Sequence, residues 1–504
     1  MSKILQAIQK YADEKPDQTA FWGENYTGKE QTLTYTELYD RIHLAAKILR
    51  EQGSRCIALK AENCLEWVIT DLAAMLAGIA IVPIPTFFSE EQVQHVLKES
   101  GADVLVGEWY GYGEAVTYLD GLPVYERVTN GSSRLLPGTG KITFTSGSTG
   151  TPKGVCLSIS NLECITDTLA SKLRGQSHRH LIFLPLSTLL ENITGIYVPL
   201  LLGVTSVIFR GNHLGLTGSC QFDPILFAKA VEKLRPDSLV LTPALLMALI
   251  QIVQTKSDLA KSLTFVAVGG ARVSPELITV AHQLGIPAYQ GYGLSECTSV
   301  VSLNTPVAGK AGSCGKILPH AEVRVSADDE LLVKGNTALG YLGEPFCGDW
   351  YATGDIGWID KEGFLFLKGR KKNQIITGFG RNISPEWIES QAQIYVPDCT
   401  LIVTGEAQNT LSAVVNTQVD IMENIRKLNT TLPDYACIHR LLVVPELHSI
   451  THWFTANGRP IRPVIESWVN QTLSATSDFP YLPSGDQDID YQLIRVQPSA
   501  AAVA

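Results

Sequence analysis

TFTSGSTGTPKGV, residues 143–155, opens with a short apolar run and then sets three glycines, a series of hydroxyls, one proline and one lysine close together. Gly147, Gly150 and Gly154 lack a Cβ, so the backbone can take positive φ and bring its N–H groups close to an anion. Ser146, Ser148 and Thr149 add hydroxyl donors, Lys153 adds a point charge, and Pro152 stiffens the turn by fixing φ. The composition suits a phosphate cradle, although a Gly/Ser-rich surface loop has the same ingredients. It is not a Walker A loop, which would need glycine at Pro152 and Ser or Thr at Gly154.

On either side of this stretch, strands alternate with helices. TLTYTELYDRIHLAAKILREQG repeats Leu38, Ile42, Ala45, Ala46 and Leu49 at helical spacing and stops at Gly53; CIALKAEN reads as a buried strand. EWVITDLAAMLAGIAIVPIPTF gives a helix, a glycine stop at Gly78 and a strand, and VLKESGADVLVG repeats the unit. After the loop, HLIFLPLS, VTSVIF, SLVLTPALLMALIQIV and SLTFVAVGGARVSPELITVAHQLG continue the alternation. The pattern predicts largely parallel sheet flanked by helices. Ligands of such sheets bind at strand carboxyl ends, so Gly269, Gly270 and Ala271 are candidates to touch a flat base, or else form a tight turn that needs glycine.

Two further clusters carry chemistry. In AYQGYGLSECTSV, Glu296 is a lone carboxylate in an apolar region. A buried carboxylate needs a cation or donors. Mg²⁺ with nucleotide phosphate would supply one, and a helix-capping role after Ser295 is the alternative. In WYATGDIGWIDKEGFLFLKGRKKNQIITGFGRNISPEWIE, Asp355 sits in a glycine turn and Arg370 follows a strand. A carboxylate suits a ribose diol and an arginine fork suits phosphate oxygens.

In this order, the three clusters resemble the motifs of the adenylate-forming superfamily, which includes acyl-CoA synthetases, luciferases and peptide-synthetase adenylation domains. The resemblance spans residues 1 to about 475. It implies an α/β fold: a large N-terminal domain with parallel-rich sheets flanked by helices, and a small mobile C-terminal α+β domain. It implies that Thr145, Ser146, Gly147, Ser148, Thr149 and Gly150 hold ATP phosphates, that Gly269, Gly270, Ala271, Gln290, Gly291, Tyr292 and Gly293 flank the adenine, and that Asp355 and Arg370 hold the ribose. Thr149 and Glu296 would hold Mg²⁺. Lys153 would be catalytic, Lys372 the hinge, and Arg459, in TANGRPIR, would replace the family's C-terminal lysine. Arg462 follows as in the family, and Asn457 with Gly458 forms a turn that projects residue 459.

LPLSTLLENITG resembles a stretch of bacterial long-chain acyl-CoA synthetases, with Thr188 in place of a histidine; Ile159 replaces another. The reaction implied is attack of a carboxylate, a fatty acid by this resemblance, on the α-phosphate of MgATP to give acyl-AMP and pyrophosphate, then transfer to the thiol of CoA. Two alternatives stand beside it: loading of a phosphopantetheine-bearing acyl carrier protein, and a non-catalytic acyl-adenylate-binding homologue.

Length and composition agree with a soluble enzyme. A chain of 504 residues needs at least two cores, and a net charge of −10 without a basic cluster argues against nucleic acid. Ten cysteines without a C-x-x-C pair read as reduced core thiols, and the charged, amphipathic N-terminus carries no signal-peptide pattern, which together place the chain in the cytoplasm. The uncharged run over residues 192–209 is broken by Pro199, Gly195 and Gly203 and reads as a buried helix ending near Gly203, not a membrane span. The polar stretch Lys371, Lys372, Asn373, Gln374 divides residues 1–370 from a small unit over 371–475, and 476–504 reads as a tail.

Overall fold

The computed structural model describes residues 2–129, 134–145, 152–218, 221–378, 381–455, 458–475 and 489–496. The alternation after residue 55 builds one of two large sheets. Cys56–Lys60, Ala80–Pro83 and Val104–Gly107 run parallel. The intervening helices, Leu65–Ala77 and Glu90–Ser100, end on Gly78 and Gly101 at φ 72° and 63°, a left-handed turn that a residue without a Cβ takes freely. In spatial order this sheet is Glu344–Pro345, Gly340–Tyr341, Lys153–Ser158, Thr139–Thr145, Ala80–Pro83, Cys56–Lys60, Val104–Gly107, Leu122–Glu126 and Thr117–Leu119.

The second large sheet runs Lys316–Ile317, Ser302–Leu303, Ala288–Tyr292, Phe265–Val268, Ser238–Leu241, Arg179–Ile182, Thr205–Ile208, Thr19–Glu24 and Glu30–Thr34. From Ala288–Tyr292 to Thr19–Glu24 every pairing is parallel. The expected buried helix spans residues 189–202 and is capped by Gly203 at φ 69°, but its middle, Ile193–Tyr197, is a π-helix. Pro199 explains the widening, because its ring would clash with the Gly195 carbonyl of a regular helix and it has no N–H to offer. Ser206 Oγ donates to that carbonyl instead, at 2.7 Å. Among the described residues no helix is long and apolar enough to cross a membrane.

Beside the largely parallel sheets that the alternation predicts stand an antiparallel sheet and the sheet of the expected small α+β unit. Ala321–Val325, Glu330–Gly335, Tyr351–Ile359 and Leu365–Arg370 form a separate antiparallel sheet. After the single turn Lys371–Asn373, a small α+β unit builds a four-stranded sheet from Leu401–Thr404, Leu411–Val415, Ile438–Val443 and Gln492–Arg495. One face buries Ile388, Leu411, Ile425 and Leu441; the other buries Ile402, Leu442, Trp453 and Trp468. The expectation of a tail from residue 476 is therefore corrected: Gln492–Arg495 pairs antiparallel with Ile438–Val443, with Ile494 against the first core and Leu493 against the second. Four residues are too few to show a period of two in sequence.

A buried polar knot ties the layers together. Lys141 Nζ lies 2.6 Å from Asp71 Oδ1, 2.5 Å from Asn192 Oδ1 and 2.8 Å from the Tyr197 hydroxyl, which itself donates to Asp71 Oδ2 at 2.6 Å. Strand Thr139–Thr145 is thereby pinned to helix Leu65–Ala77 and to the π-helix. Burial pulls the Lys141 ammonium below its ordinary pKa, against the pull of Asp71. Replacing Lys141 with Met should lower unfolding free energy by about 3–5 kcal/mol, because Asp71 is left buried without its counter-charge. Adding Asp71→Leu should restore most of the loss; denaturant titration of both variants measures it, and a single variant as stable as the parent would contradict the assignment.

Candidate active site

The glycine-rich hairpin is described on its two arms. Thr145 and Lys153 face each other across the antiparallel pair; Ser146, Gly147, Ser148, Thr149 and Gly150 lie outside the described residues. Gly154 turns out to serve packing: a Cβ there would meet Leu342 Cδ1 at 2.5 Å and Phe144 Cζ at 2.9 Å. Lys153 is exposed, with Nζ 5.0 Å from the centre of the Tyr341 ring, within cation–π range.

Tyr341 links that lysine to the second cluster. Its hydroxyl donates to Glu296 Oε1 at 3.0 Å and lies 3.2 Å from the Tyr351 hydroxyl. Glu296 sits half-buried on the single turn Ser295–Cys297, so the lone carboxylate of the sequence has a phenolic donor. Among the described residues no group of three or more His, Cys, Asp or Glu side chains could hold a metal by themselves. One carboxylate facing a phosphate-bearing ligand is nonetheless the donor set that Mg²⁺ accepts.

The third cluster is held by strand register. Asp355 and Arg370 are direct cross-strand partners, and Arg370 Nε lies 2.9 Å from Asp355 Oδ1. Tyr292 donates its hydroxyl to Asp355 Oδ2 at 2.7 Å, while Arg370 Nη1 donates to the Thr353 carbonyl at 2.9 Å. Burial holds the Asp355 carboxyl above its ordinary pKa although Arg370 and Tyr292 pull the other way. Burial also raises the Tyr292 phenol, and the Asp355 charge raises it further, so this hydroxyl remains a donor.

At the end of strand Phe265–Val268, the turn requires glycine at one position: Gly270 has φ 83°, whereas a Cβ on Gly269 would meet nothing closer than 3.8 Å. Ala271 is exposed beside it. Residues 290–293 divide. Tyr292 joins Asp355, but buried Gln290 donates to Cys314 Sγ at 3.3 Å. Gly291 and Gly293 are sites of close approach, with a Cβ falling 3.1 Å from Leu303 Cδ1 in the first and 1.5 Å from the Ser299 carbonyl oxygen in the second.

From the small unit, Arg459 bonds the site and Glu386 lies within electrostatic reach of Asp355. Gly458, at φ 71°, closes a turn in which the Thr455 N–H donates to the Arg459 carbonyl at 2.8 Å. Asn457, the other half of the expected turn signal, lies outside the described residues. Arg459 Nη2 donates to the Gly270 carbonyl at 3.1 Å. Its charged form is disfavoured first by burial and next by Arg370, and favoured by Asp355 and Glu296, which brings all four charges into one neighbourhood. Arg462 has a different place, doubly bonded to Glu389 at 2.9 and 2.5 Å. Lys372 is exposed and makes no hydrogen bond or ion pair among the described residues, while neighbouring Lys371 bonds Glu330 at 2.9 Å.

Sequence reasoning missed Tyr341, Tyr351 and Arg272. The first two are ordinary aromatics beside glycine and tryptophan; Arg272 donates to the Lys368 carbonyl and so bridges the Gly270 turn to the strand that ends at Arg370. The two positions that lack the expected histidines offer no substitute. Thr188 is exposed at the start of helix 189–202, and Ile159 packs over Gly140.

Residues 8–136 and 139–343 match the family described as AMP-binding enzyme. The long-chain-fatty-acid–CoA ligase FadD15 of Mycobacterium bovis is 25% identical over 461 residues, covering 75% of this chain and 76% of that protein. The indoleacetate–CoA ligase of Aromatoleum aromaticum is 27% identical, covering 77% and 82%. The o-succinylbenzoate CoA synthetase of Bacillus subtilis, solved with its acyl-adenylate intermediate, superposes with a TM-score of 0.73 at 23% identity, covering 91% of this chain and 97% of that one, and so shares the fold. With that fold and the match over most of the chain's length, this protein is a member of the AMP-binding enzyme family, of the AMP-forming acid–CoA ligase kind.

Proposed function

We propose that this enzyme adenylates a carboxylic acid with a slim aliphatic body, a fatty acid, and passes the acyl group to CoA. The observation that carries the reading is the reach of Arg459 from the small unit to the Gly270 carbonyl, beside Asp355, Arg370 and Glu296. A cation delivered there by a separate domain fits the first half-reaction. The acid's carboxylate attacks the α-phosphate of MgATP, a P–O bond forms, and pyrophosphate leaves. Arg459 and Lys153 would offset the charge that builds on the transferring phosphoryl group, and Asp355 would accept from the ribose hydroxyls. Mg²⁺, arriving with ATP and held by Glu296 with Thr149, would draw charge from the phosphate oxygens.

The acid's body has a candidate seat. Leu190 approaches Gly269, and Thr194, Val198 and Leu202 continue down the same side of the helix. Facing Val240, Phe265 and Ala267, those three residues line a narrow, mainly apolar crevice with about 40 Å³ of open space. A thin chain enters such a slot by displacing single side chains, whereas a fused ring would have to part the helix from the sheet. For the second step, Lys372, without a partner among the described residues and beside anchored Lys371, is a suitable pivot, about which the small unit would turn to withdraw Arg459 and admit the thiol.

ATP–pyrophosphate exchange across aliphatic and aromatic acids tests the substrate, and thioester formation with CoA or an acyl carrier protein tests the acceptor. We expect exchange with aliphatic acids and transfer to CoA. Exchange with no acid at all would favour a non-catalytic adenylate-binding protein, and transfer to carrier protein alone would correct the acceptor. Lys372→Pro should keep exchange within about twofold of the parent while thioester formation falls at least ~10-fold, a difference of roughly 1.4 kcal/mol in barrier. Equal loss of both would argue against a pivot at this residue.

Asp355 gives a pH test. Its native pKa lies above the ordinary 3.8, so the native state binds this proton more readily than the unfolded chain. Stability is therefore most favourable below that ordinary value and declines as pH rises through the native one. Asp355→Asn should flatten this decline, leave the thermal midpoint at pH 7 at or above the parent's, and weaken ATP binding. A midpoint well below the parent's at pH 7 would mean that the Arg370 pair outweighs burial.

A further inference from the structure

Arg440 and Arg495 stand directly opposite each other on antiparallel strands of the small unit. Like charges at opposed positions destabilise a sheet unless something answers them. Among the described residues, nothing acidic does. Arg440 Nη2 reaches the Thr410 carbonyl and hydroxyl at 3.2 and 2.9 Å, and its Nε is buried with no partner. Burial, and after it the charge on Arg495, pushes the Arg440 guanidinium below its ordinary pKa.

The pair lines an open cavity of about 590 Å³ with Gln408, Asn409, Thr410 and His439, and none of the described residues that line it is acidic. That volume lies in the range of small-molecule sites. Its donors are two guanidiniums, the Asn409 amide, a hydroxyl, an imidazole and the Gln408 amide, whose Nε2 already donates once to Asn470 Oδ1 at 3.1 Å. His439 Nδ1 is occupied by the Cys437 carbonyl at 2.9 Å, which leaves Nε2 as the nitrogen available to a ligand. A cationic pocket of this kind is conspicuous on a chain of net charge −10, and it contrasts with Arg462 of the same unit, which is paired with Glu389.

We propose that this cavity is a phosphate-binding site, apart from the adenylate site, that takes a phosphate monoester or a short polyphosphate. Arginine forks bind phosphate oxygens two at a time, and the anion would remove the repulsion between the strands. The site is also wired to the segment after the pivot. The Gly378 N–H donates to the Gln408 carbonyl and the Ala407 N–H to the Ile376 carbonyl, each at 2.8 Å. An anion gripped by Gln408 and the arginines would therefore steady residues 376–378, close to Lys372.

The test uses the full chain with inorganic phosphate, pyrophosphate, CoA and dephospho-CoA as probes. At low ionic strength and without anion, Arg495→Gln and Arg495→Glu should melt higher than the parent, because repulsion is removed in the first and an ion pair with Arg440 is created in the second. Added inorganic phosphate or pyrophosphate should raise the parent's melting temperature and neither variant's by as much. Calorimetric affinity for at least one probe should fall at least tenfold in each variant, while ATP–pyrophosphate exchange stays at the parent rate. A loss specific to CoA over dephospho-CoA assigns the site to the acceptor's phosphate; a loss shared by pyrophosphate and phosphate assigns it to a free anion. Equal stabilisation of parent and variants by every probe, with unchanged affinities, overturns the proposal.

Discussion

A carboxyl whose pKa burial raises sits where the antiparallel sheet meets the small unit. Arg370, its partner in strand register, and the Tyr292 hydroxyl pull the pKa of Asp355 back down. Everything chemical in the structure is placed relative to this pair. Arg370 is the last residue of its strand, so the chain enters the Lys371–Asn373 turn directly from the ion pair. Glu296, Glu386 and Arg459 lie within electrostatic reach, which makes three acids and two arginines in one neighbourhood. Such a set leans negative as it stands, so a polyphosphate would have to bring a cation with it.

Rigidity and freedom are divided sensibly around it. The Lys141 knot fastens the hairpin strand that leads into the glycine-rich stretch to two helices, with three partners around the Lys141 ammonium. Arg272 clips the Gly270 turn to the strand of Arg370. Against that scaffold, the small unit bonds the site through Arg459 on a glycine-closed turn, and the segment that joins it to the large domain carries an exposed lysine with no hydrogen bond or ion pair among the described residues. Positioning groups belong on fixed elements, while a group needed for half of a reaction belongs on a part that can leave.

Much of this was legible in the sequence, for identifiable reasons. Gly78 and Gly101 mark their helix ends because left-handed turns select glycine, and the β/α alternation follows from buried runs of differing length. In sequence, Lys153, Glu296, Asp355 and Arg370 stand out within three motif clusters and Arg459 through its place in the family's C-terminal motif; the structure brings the last four into one neighbourhood. What was not legible is what depends on contacts far apart in the chain. Tyr341 meets Glu296 across 45 positions, Lys141 meets Asp71 across 70, and Gln290 turns to Cys314 for reasons of packing that no local pattern records. The strand at Gln492–Arg495 escaped notice because it is short and follows a polar stretch, and the π-helix because its cause, Pro199, reads equally as a helix end.

The central claim is that Arg459 serves adenylation and then withdraws. Single-turnover measurement of the two half-reactions in Arg459→Ala tests it most directly: acyl-AMP formation from acid and MgATP, and thioester formation from pre-made acyl-AMP and CoA. The account predicts that the first falls by about a hundredfold, corresponding to ~2.7 kcal/mol of transition-state stabilisation, while the second stays near the parent rate. Adenylation at the parent rate, or an equal fall in both steps, would contradict it.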